Sequence, residues 1–268
     1  MTAAVLDKCD ALDGVMDGLI ENPLDCQFDI DSFACNATDS VLNSTTCLTT
    51  AQLGAAKSIY KGPTRPDTGA EIYPGFSFGS ESSWLLQEGS LADDYAIPLI
   101  QNLVFDDVGY NARNFNFASD VDRVDHTASP RIDAISPDLS SFECKGGKIL
   151  VTQGWADQFN AATWPIQHMS DIEKTTGHID DWFKLFMVPG AGHCGANPAY
   201  PHVPATYATL AALVEWVENG HRPLQLLSTG PLDGSNTTRK LCPWPQTAHY
   251  IAGDKDDWAS YRCKTTKK

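Results

Sequence analysis

The sequence lacks several features that would each indicate a particular class of protein. It has no apolar run near the roughly 18–20 residues that a membrane-spanning helix needs. No Cys-x-x-Cys pair occurs among its 268 residues, which argues against a zinc cluster or a thioredoxin-type redox motif. Positive charge is scarce too, because 19 Lys and Arg face 34 Asp and Glu, for a formal net charge of −15. We therefore expect neither nucleic acid nor an anionic membrane surface as a partner.

The chain does have enough apolar material for one large domain or two small ones, since 42% of its residues are hydrophobic. Its eight cysteines, without metal-type spacing, indicate a disulfide framework and thus an oxidising compartment. Three N-glycosylation sequons, at Asn36, Asn43 and Asn236, agree with this. The opening MTAAVLDKCD contains no hydrophobic signal-peptide region. We therefore expect a secreted protein of which the given sequence is a fragment.

The two halves of the chain differ in loop content and in predicted secondary structure. Residues 1–134 are loop-rich, with a Cys- and Asp-dense opening, one predicted helix over Thr49–Tyr60, and Pro/Gly-rich turns. Residues 135–268 show the alternation of apolar runs and helical patterns that is typical of an α/β fold. We therefore predict a first domain over 1–134 and a second over 135–268.

Strands and helices alternate in the second half. Two short, continuous apolar runs are typical of buried parallel strands, and a helical pattern follows each of them. In chain order these segments are Lys148–Thr152, Thr163–Lys174, Phe183–Val188 and Ala205–Asn219, the last closed by Gly220. Strand–helix–strand–helix with short loops is half of an open, doubly wound sheet. We expect the tail beyond it to be irregular and pinned by cysteines.

Each of the two predicted strands runs into a glycine-bearing loop with one chemically useful side chain. The first loop carries Asp157 and the second carries His193. Ligand sites of open α/β sheets form at the carboxyl ends of strands, and Asp followed by His is the order found in α/β-hydrolases after the nucleophilic Ser. In that reading His193 is a general base and Asp157 orients it. An ordinary loop Asp and a structural His remain an equally open alternative on spacing alone.

The opening segment concentrates hard oxygen donors. Asp10, Asp13 and Asp17 fall within eight residues, and carboxylates are the ligands that calcium prefers. The alternative is a solvated acidic turn.

Several motifs together resemble the tannase/feruloyl esterase family of secreted α/β-hydrolases. They run from the first residues to the last cysteine and read CDALDGVMDGLIENPLDC, GWAD, VPGAGHC and LCPWPQ. The resemblance implies a partial α/β-hydrolase, its parallel-sheet half, with a loop-rich calcium-binding lid over the first 134 residues. It also implies Ser-His-Asp acyl-enzyme chemistry on aromatic (galloyl or hydroxycinnamoyl) esters, with Asp157 and His193 as catalytic residues.

The family's calcium ligands carry over to the opening loop. The resemblance assigns them to the carboxylates of Asp10, Asp13 and Asp17 and to the backbone carbonyls of Val15 and Leu19. Calcium is therefore the expected cofactor.

One departure from the family pattern is large. The family's nucleophile is a Ser directly preceded by a Cys, upstream of the calcium loop, but this chain has no Cys-Ser dipeptide and only eight residues before Cys9. We therefore expect the nucleophile and the first half of the sheet to be missing, and the chain alone to be inactive. The family counterpart of Cys194 bonds to the Cys beside the Ser, so the missing half is the expected disulfide-linked partner through Cys194.

Two other interpretations stay open. Gly75-Phe-Ser77-Phe-Gly79 matches G-x-S-x-G, which would make the chain a self-sufficient esterase. However, Pro74 stands where the strand before a nucleophile elbow should be. Alternatively, the chain is a non-catalytic, calcium-stabilised secreted module.

For the remaining cysteines we expect local pairs. Each pair closes a loop of roughly 12–22 residues in a segment with little core of its own, where a disulfide stabilises most. The predicted pairs are Cys9–Cys26, Cys35–Cys47 and Cys242–Cys263, with Cys144 left unpaired or bonded to the missing half.

Overall fold

The computed structural model describes residues 1–35, 37–38, 46–86, 89 and 91–265. The sequons at Asn36 and Asn43 lie outside these residues, whereas Asn236 is exposed. Within the described ranges the α-helices are α1 (Thr2–Cys9), α2 (Thr50–Lys61), α3 (Ile97–Leu99), α4 (Ser119–Thr127), α5 (Ser129–Ile132), α6 (Ser140–Glu143), α7 (Trp164–Thr176) and α8 (Thr209–Asn219). The strands there are β1 (Ile149–Gly154), β2 (Phe183–Val188), β3 (Pro204–Tyr207), β4 (Leu226–Pro231), β5 (Arg239–Leu241), β6 (Gln246–Tyr250) and β7 (Tyr261–Thr265). None of the described helices is both long and apolar enough to cross a bilayer.

The parallel pair β1–β2 is the centre of the second half. The two strands run in register from Ile149 opposite Phe183 to Gly154 opposite Val188, and α7 connects them. Every residue of β2 is buried, as expected for a parallel strand covered on both faces. The predictions of both strands and of the intervening helix are confirmed.

The alternation of side chains along β2 divides the interior into two clusters. Leu185 packs with Ile172 of α7 on one face, whereas Phe186 and Val188 pack on the other. Leu19, from the opening loop, belongs to the second cluster. The division into domains over 1–134 and 135–268 stays a prediction.

The helix predicted over Ala205–Asn219 is partly wrong. Residues Pro204–Tyr207 form β3, and α8 begins only at Thr209. Pro204 lacks a backbone N–H and Thr206 is β-branched, and both features favour an extended segment at a sheet edge. The predicted end is confirmed, because Gly220 closes α8 in the left-handed conformation (φ 71°).

The prediction of an irregular tail is also wrong. After α8 come β4 and β5, which pair with β3 in an antiparallel sheet of order β3-β4-β5, and then the hairpin β6-β7. These strands are short, and polar residues interrupt them, so their hydrophobic pattern is weak. The tail is nevertheless pinned as expected, since Cys242 at the end of β5 bonds to Cys263 in β7.

The described part of the first half is built from short helices and turns. Thr49 and Gln52 form a capping box at the start of α2, as the Thr N-cap predicted. Further on, π-helical turns at Ala92–Ala96 and Ile100–Phe105 flank the short α3 to make one irregular helix.

All three predicted disulfides are present, and the two remaining cysteines are free of disulfide bonds and exposed. The bonds are Cys9–Cys26, Cys35–Cys47 and Cys242–Cys263, and the free cysteines are Cys144 and Cys194.

Candidate active site

The carboxyl ends of β1 and β2 are held together by close backbone contacts. Trp155 N–H donates to the Val188 carbonyl (2.9 Å) and Ala156 N–H to the Ala191 carbonyl (3.0 Å). A Cβ on Gly154 would lie 2.2 Å from the Ala191 carbonyl oxygen, so only glycine permits this approach. The two loops that follow the strands are therefore fixed relative to each other.

This arrangement brings Asp157 and His193 together. Asp157 Oδ2 lies 3.0 Å from His193 Nδ1, with the carboxylate 3% and the imidazole 40% exposed. Gln153 Nε2 also donates to Oδ2 (2.9 Å), and the backbone N–H groups of Phe159 and Asn160 donate to Oδ1 (2.7 and 3.1 Å). The buried carboxylate is thus satisfied on both oxygens and can hold the imidazole in one orientation.

His193 stands at the tip of a tight turn. Gly192 and Gly195 form a two-way backbone bridge on either side of it (3.0 and 3.3 Å). Cys194 adopts the left-handed conformation (φ 57°), which is uncommon outside glycine. The His193 N–H is tied to Gln158 Oε1 at 3.1 Å. With Nδ1–H donated to Asp157, Nε2 is the nitrogen left to accept a proton.

A largely apolar groove of about 650 Å³ opens beside the imidazole. The Phe159 ring packs against His193 with 4.7 Å between centroids and forms one wall. Tyr95 and Leu99, from the irregular helix over 92–105, also line the groove. π-Helical turns of this kind often occur at functional sites. Sequence reasoning missed both of these residues, because a solvent-facing Tyr or Leu in an irregular helix has no signature.

Ser77 lies elsewhere. It precedes a short 3-10 turn and follows a stretch outside any strand, so the strand–turn–helix geometry of a nucleophile elbow does not surround it. Its carbonyl accepts hydrogen bonds from the backbone and hydroxyl of Ser80. The groove that Ser77 lines, with Tyr60 and Phe76, shares no residue with the groove beside His193.

The predicted calcium loop is organised by its own carboxylates. Asp10 accepts from the backbone N–H groups of Asp17 (3.0 Å) and Gly18 (2.9 Å). Asp13 accepts from Val15 N–H, and Asp17 from Leu19 N–H. Among the described residues, only exposed His178, Asp180 and Asp181 bring three ligand atoms within 4.8 Å of one another. The carboxylates of Asp10, Asp13 and Asp17 do not bring three ligand atoms within that distance.

Arg239 lies between two of these carboxylates. Its buried guanidinium pairs with Asp13 (3.3 Å), with Asp17, and with buried Glu21 (2.9 Å). Burial raises the pKa of Asp13 to about 7 even with the arginine close by. Three carboxylates around one guanidinium, with Asp10 beside them, leave an excess of negative charge in a set of oxygen donors. That composition fits a hard cation such as calcium.

Sequence reasoning missed Arg239 and Glu21. Arg239 is 226 residues from Asp13, and no local pattern connects two segments so far apart.

Two solved protein structures share the fold of this chain. The chain superposes on the crystal structure of feruloyl esterase B from Aspergillus oryzae with a TM-score of 0.83 and 26% identity, over 98% of this chain and 56% of that one. It also shares the fold of tannin acyl hydrolase from Aspergillus niger (TM-score 0.75, 21% identity, 99% of this chain and 52% of that one).

The family follows from the sequence comparison. The family model "Tannase and feruloyl esterase" matches residues 1–264, so the chain belongs to this family. Among similar proteins, a probable feruloyl esterase of Arthroderma benhamiae is 30% identical over 97% of this chain and 51% of its own length. An uncharacterised esterase of Xanthomonas campestris pv. campestris is 29% identical over 97% and 53%. The chain spans about half the length of the curated relatives it matches.

Proposed function

We propose that this chain carries the base and the orienting acid of a serine-type carboxylic ester hydrolase. The observation that carries the proposal is the 3.0 Å contact between buried Asp157 and the half-exposed ring of His193 at the ends of β1 and β2. His193 Nε2 takes the proton of the attacking Ser and later activates water for deacylation. Asp157 holds the tautomer and stabilises the imidazolium.

In this proposal the nucleophile comes from residues outside the given sequence. The sequence has no Cys-Ser dipeptide, and the groove that Ser77 lines is separate from that of His193. Cys194 is exposed and free of a disulfide bond, which suits a bond to the cysteine beside the incoming Ser. The oxyanion hole belongs to the same absent segment.

The proposed substrate is an ester with an aromatic acyl group. The groove beside His193 supports it, because two aromatic side chains, Phe159 and Tyr95, line it and its volume is about 650 Å³, within the usual 300–1,000 Å³ of small-molecule sites. Relatives named as feruloyl esterases agree with a hydroxycinnamoyl ester.

Calcium is the proposed cofactor of the opening loop. The carboxylates of Asp10, Asp13 and Asp17 and the carbonyls of Val15 and Leu19 would hold it, and the ion would neutralise charge that Arg239 leaves uncompensated. Its role is to stabilise the loop, and no catalytic step passes through it.

We also propose that the protein is secreted. Three disulfides, whose formation needs an oxidising compartment, support this, and exposed Asn236 is a candidate glycosylation site.

A segment exchange tests the proposed function. The matching segment of Aspergillus oryzae feruloyl esterase B is replaced by this chain, and hydrolysis of methyl ferulate and methyl gallate is measured. We expect turnover that Ser77→Ala leaves unchanged and His193→Ala lowers by about 10³-fold or more. A chimera that is folded by circular dichroism yet inert would contradict the proposal.

The isolated chain is assayed beside the chimera to test the two alternative interpretations, a self-sufficient esterase and a non-catalytic module. We expect no esterase turnover from it. Turnover that disappears in Ser77→Ala would establish the self-sufficient esterase. A folded chimera without turnover would instead favour the non-catalytic module.

A further inference from the structure

A third groove, of about 570 Å³, lies in the tail between β5 and the β6–β7 hairpin. Lys240 of β5 lines this groove and is only 4% exposed. The ammonium donates to Gln225 Oε1 (2.9 Å) and stands over the ring of Trp258, 4.4 Å from the centroid. Arg262 of β7 lines the same groove.

These two cations have no carboxylate partner among the residues that the structure describes. Among the described residues, Arg262 Nη1 donates to the carbonyls of Ala259 (3.4 Å) and Tyr261 (3.2 Å). Burial, and then the charge of Arg262, lower the pKa of Lys240. Acidic residues outnumber basic ones by 34 to 19, so the lack of a partner for either cation is unexpected.

The neighbouring residue in the same strand shows the contrast. Arg239, which points to the opposite face of β5, is surrounded by three carboxylates. A buried ammonium is costly unless it is paired and hydrogen-bonded, and one amide oxygen uses only one of the three N–H donors of Lys240. Within the part of the chain that the structure describes, two of the Lys240 N–H donors and the positive charge of the groove therefore lack an anionic partner.

The other residues that line the groove indicate which kind of ligand would fit it. Trp258 and Pro243 provide an apolar wall, and the Gln246 side chain lies at the edge of the groove. The volume lies within the 300–1,000 Å³ range typical of small-molecule sites.

We propose that this groove binds a small ligand in which a carboxylate is attached to a six-membered ring. The carboxylate lies between Lys240 Nζ and the Arg262 guanidinium, where a charge-assisted pair is strongest. The ring packs along Trp258 and Pro243. This inference does not depend on the proposed esterase function, because the groove shares no lining residue with the one beside His193.

Two sources offer this chemistry, a uronic acid of a polysaccharide and an aromatic acid. The test follows the indole N–H signal of Trp258 by NMR, assigned through Trp258→Phe, while the purified chain is titrated. Glucuronate represents the sugar acid, benzoate the aromatic acid, glucose the neutral ring, and inorganic phosphate a bare anion. We expect saturable shifts with at least one of the two carboxylates, and the stronger of them identifies the source.

The variants make the test specific. We expect Lys240→Gln and Arg262→Gln each to weaken binding by about 10-fold or more, because each removes one half of a charge-assisted pair. Arg262 is exposed, so its variant keeps the fold if Lys240→Gln does not. Lys255→Gln, at an exposed lysine paired with Asp256, is the matched control and should bind as the parent does. Binding of phosphate or glucose alone, no binding of either carboxylate, or unchanged affinity in Arg262→Gln would overturn the proposal.

Discussion

At the residue scale, three buried charged groups have three different surroundings. Asp157 is satisfied by an amide, two backbone N–H groups and one imidazole, so it orients its partner. Arg239 is enclosed by carboxylates and joins the tail to the opening loop. Lys240 has one neutral acceptor and an aromatic ring. Each environment indicates a different role: orientation, cohesion and binding.

The central role of Arg239 leads to a stability prediction. Arg239→Met leaves Asp13, Asp17 and Glu21 buried without their cation, and breaking a buried pair in this way costs about 3–5 kcal/mol. We expect that loss in the free energy of unfolding, measured with urea in the presence of a chelator. Arg222→Met is the control, since Arg222 pairs with Asp180 and Asp181 at the surface, and it should cost about 1 kcal/mol or less. Equal losses in the two variants would refute the assignment.

At the element scale, the sequence predicted what strong local patterns encode. β2 has the predicted bounds because six consecutive residues are buried on both faces, and α2 has its Thr cap. The sequence predicts a helix where β3 forms, because the pairing of β3 with β4 is a tertiary contact, as at Thr206 opposite Thr229. The tail strands were missed for the same reason.

The same limit applies to the candidate site. Asp157 and His193 could be found because each follows a recognisable strand and belongs to a family motif. Arg239, Tyr95 and Lys240 could not, because their roles depend on contacts with distant segments and on no local pattern.

The junction of β1 with the His193 loop provides a prediction for these elements. Gly154→Ala places a methyl group 2.2 Å from the Ala191 carbonyl, and overpacking of this kind typically costs about 1–3 kcal/mol. Gly54→Ala is the control, because nothing lies within 4 Å of the added Cβ, and a helix-interior Gly-to-Ala change stabilises by about 1 kcal/mol. Thermal unfolding of both variants checks this, and a Gly154→Ala protein as stable as the parent would disprove the close approach.

The disulfide across the opening loop provides a second stability prediction. Cys9→Ser/Cys26→Ser opens a loop with a sequence separation of 17, and the chain-entropy model gives a loss of about 3 kcal/mol. Chemical denaturation measures it. Cys144→Ser, at an exposed cysteine without a disulfide, should change nothing. A loss as large in the control would point to damage unrelated to the disulfide.

At the scale of the whole molecule, the opening loop and the tail form one unit although they are far apart in sequence. Glu21 accepts from Ala248 N–H (2.6 Å) as well as from Arg239, and Leu19 packs with Phe186 of β2. Whatever stabilises the loop should therefore stabilise the protein as a whole.

Calcium is the expected stabiliser. Added calcium should raise the melting temperature by several degrees and a chelator should reverse the rise, because a ligand that binds only the folded state shifts unfolding by mass action. Magnesium should do less, since it demands stricter geometry. Asp13→Asn/Asp17→Asn should abolish the response, whereas Asp254→Asn, at an exposed acid, should keep it. A melting temperature indifferent to calcium and chelator would contradict the proposed site.

In the proposed reaction, Asp157 and His193 act as one catalytic unit with a serine from outside this sequence. The most direct measurement is kcat/KM for methyl ferulate in the segment-exchange chimera, for Asp157→Asn, His193→Ala and the double variant. We predict that Asp157→Asn lowers kcat by about 10³–10⁴-fold with little change in KM. The double variant should be no worse than His193→Ala alone, because residues that act as one unit are not additive. Multiplicative losses, or full activity in Asp157→Asn, would contradict the claim.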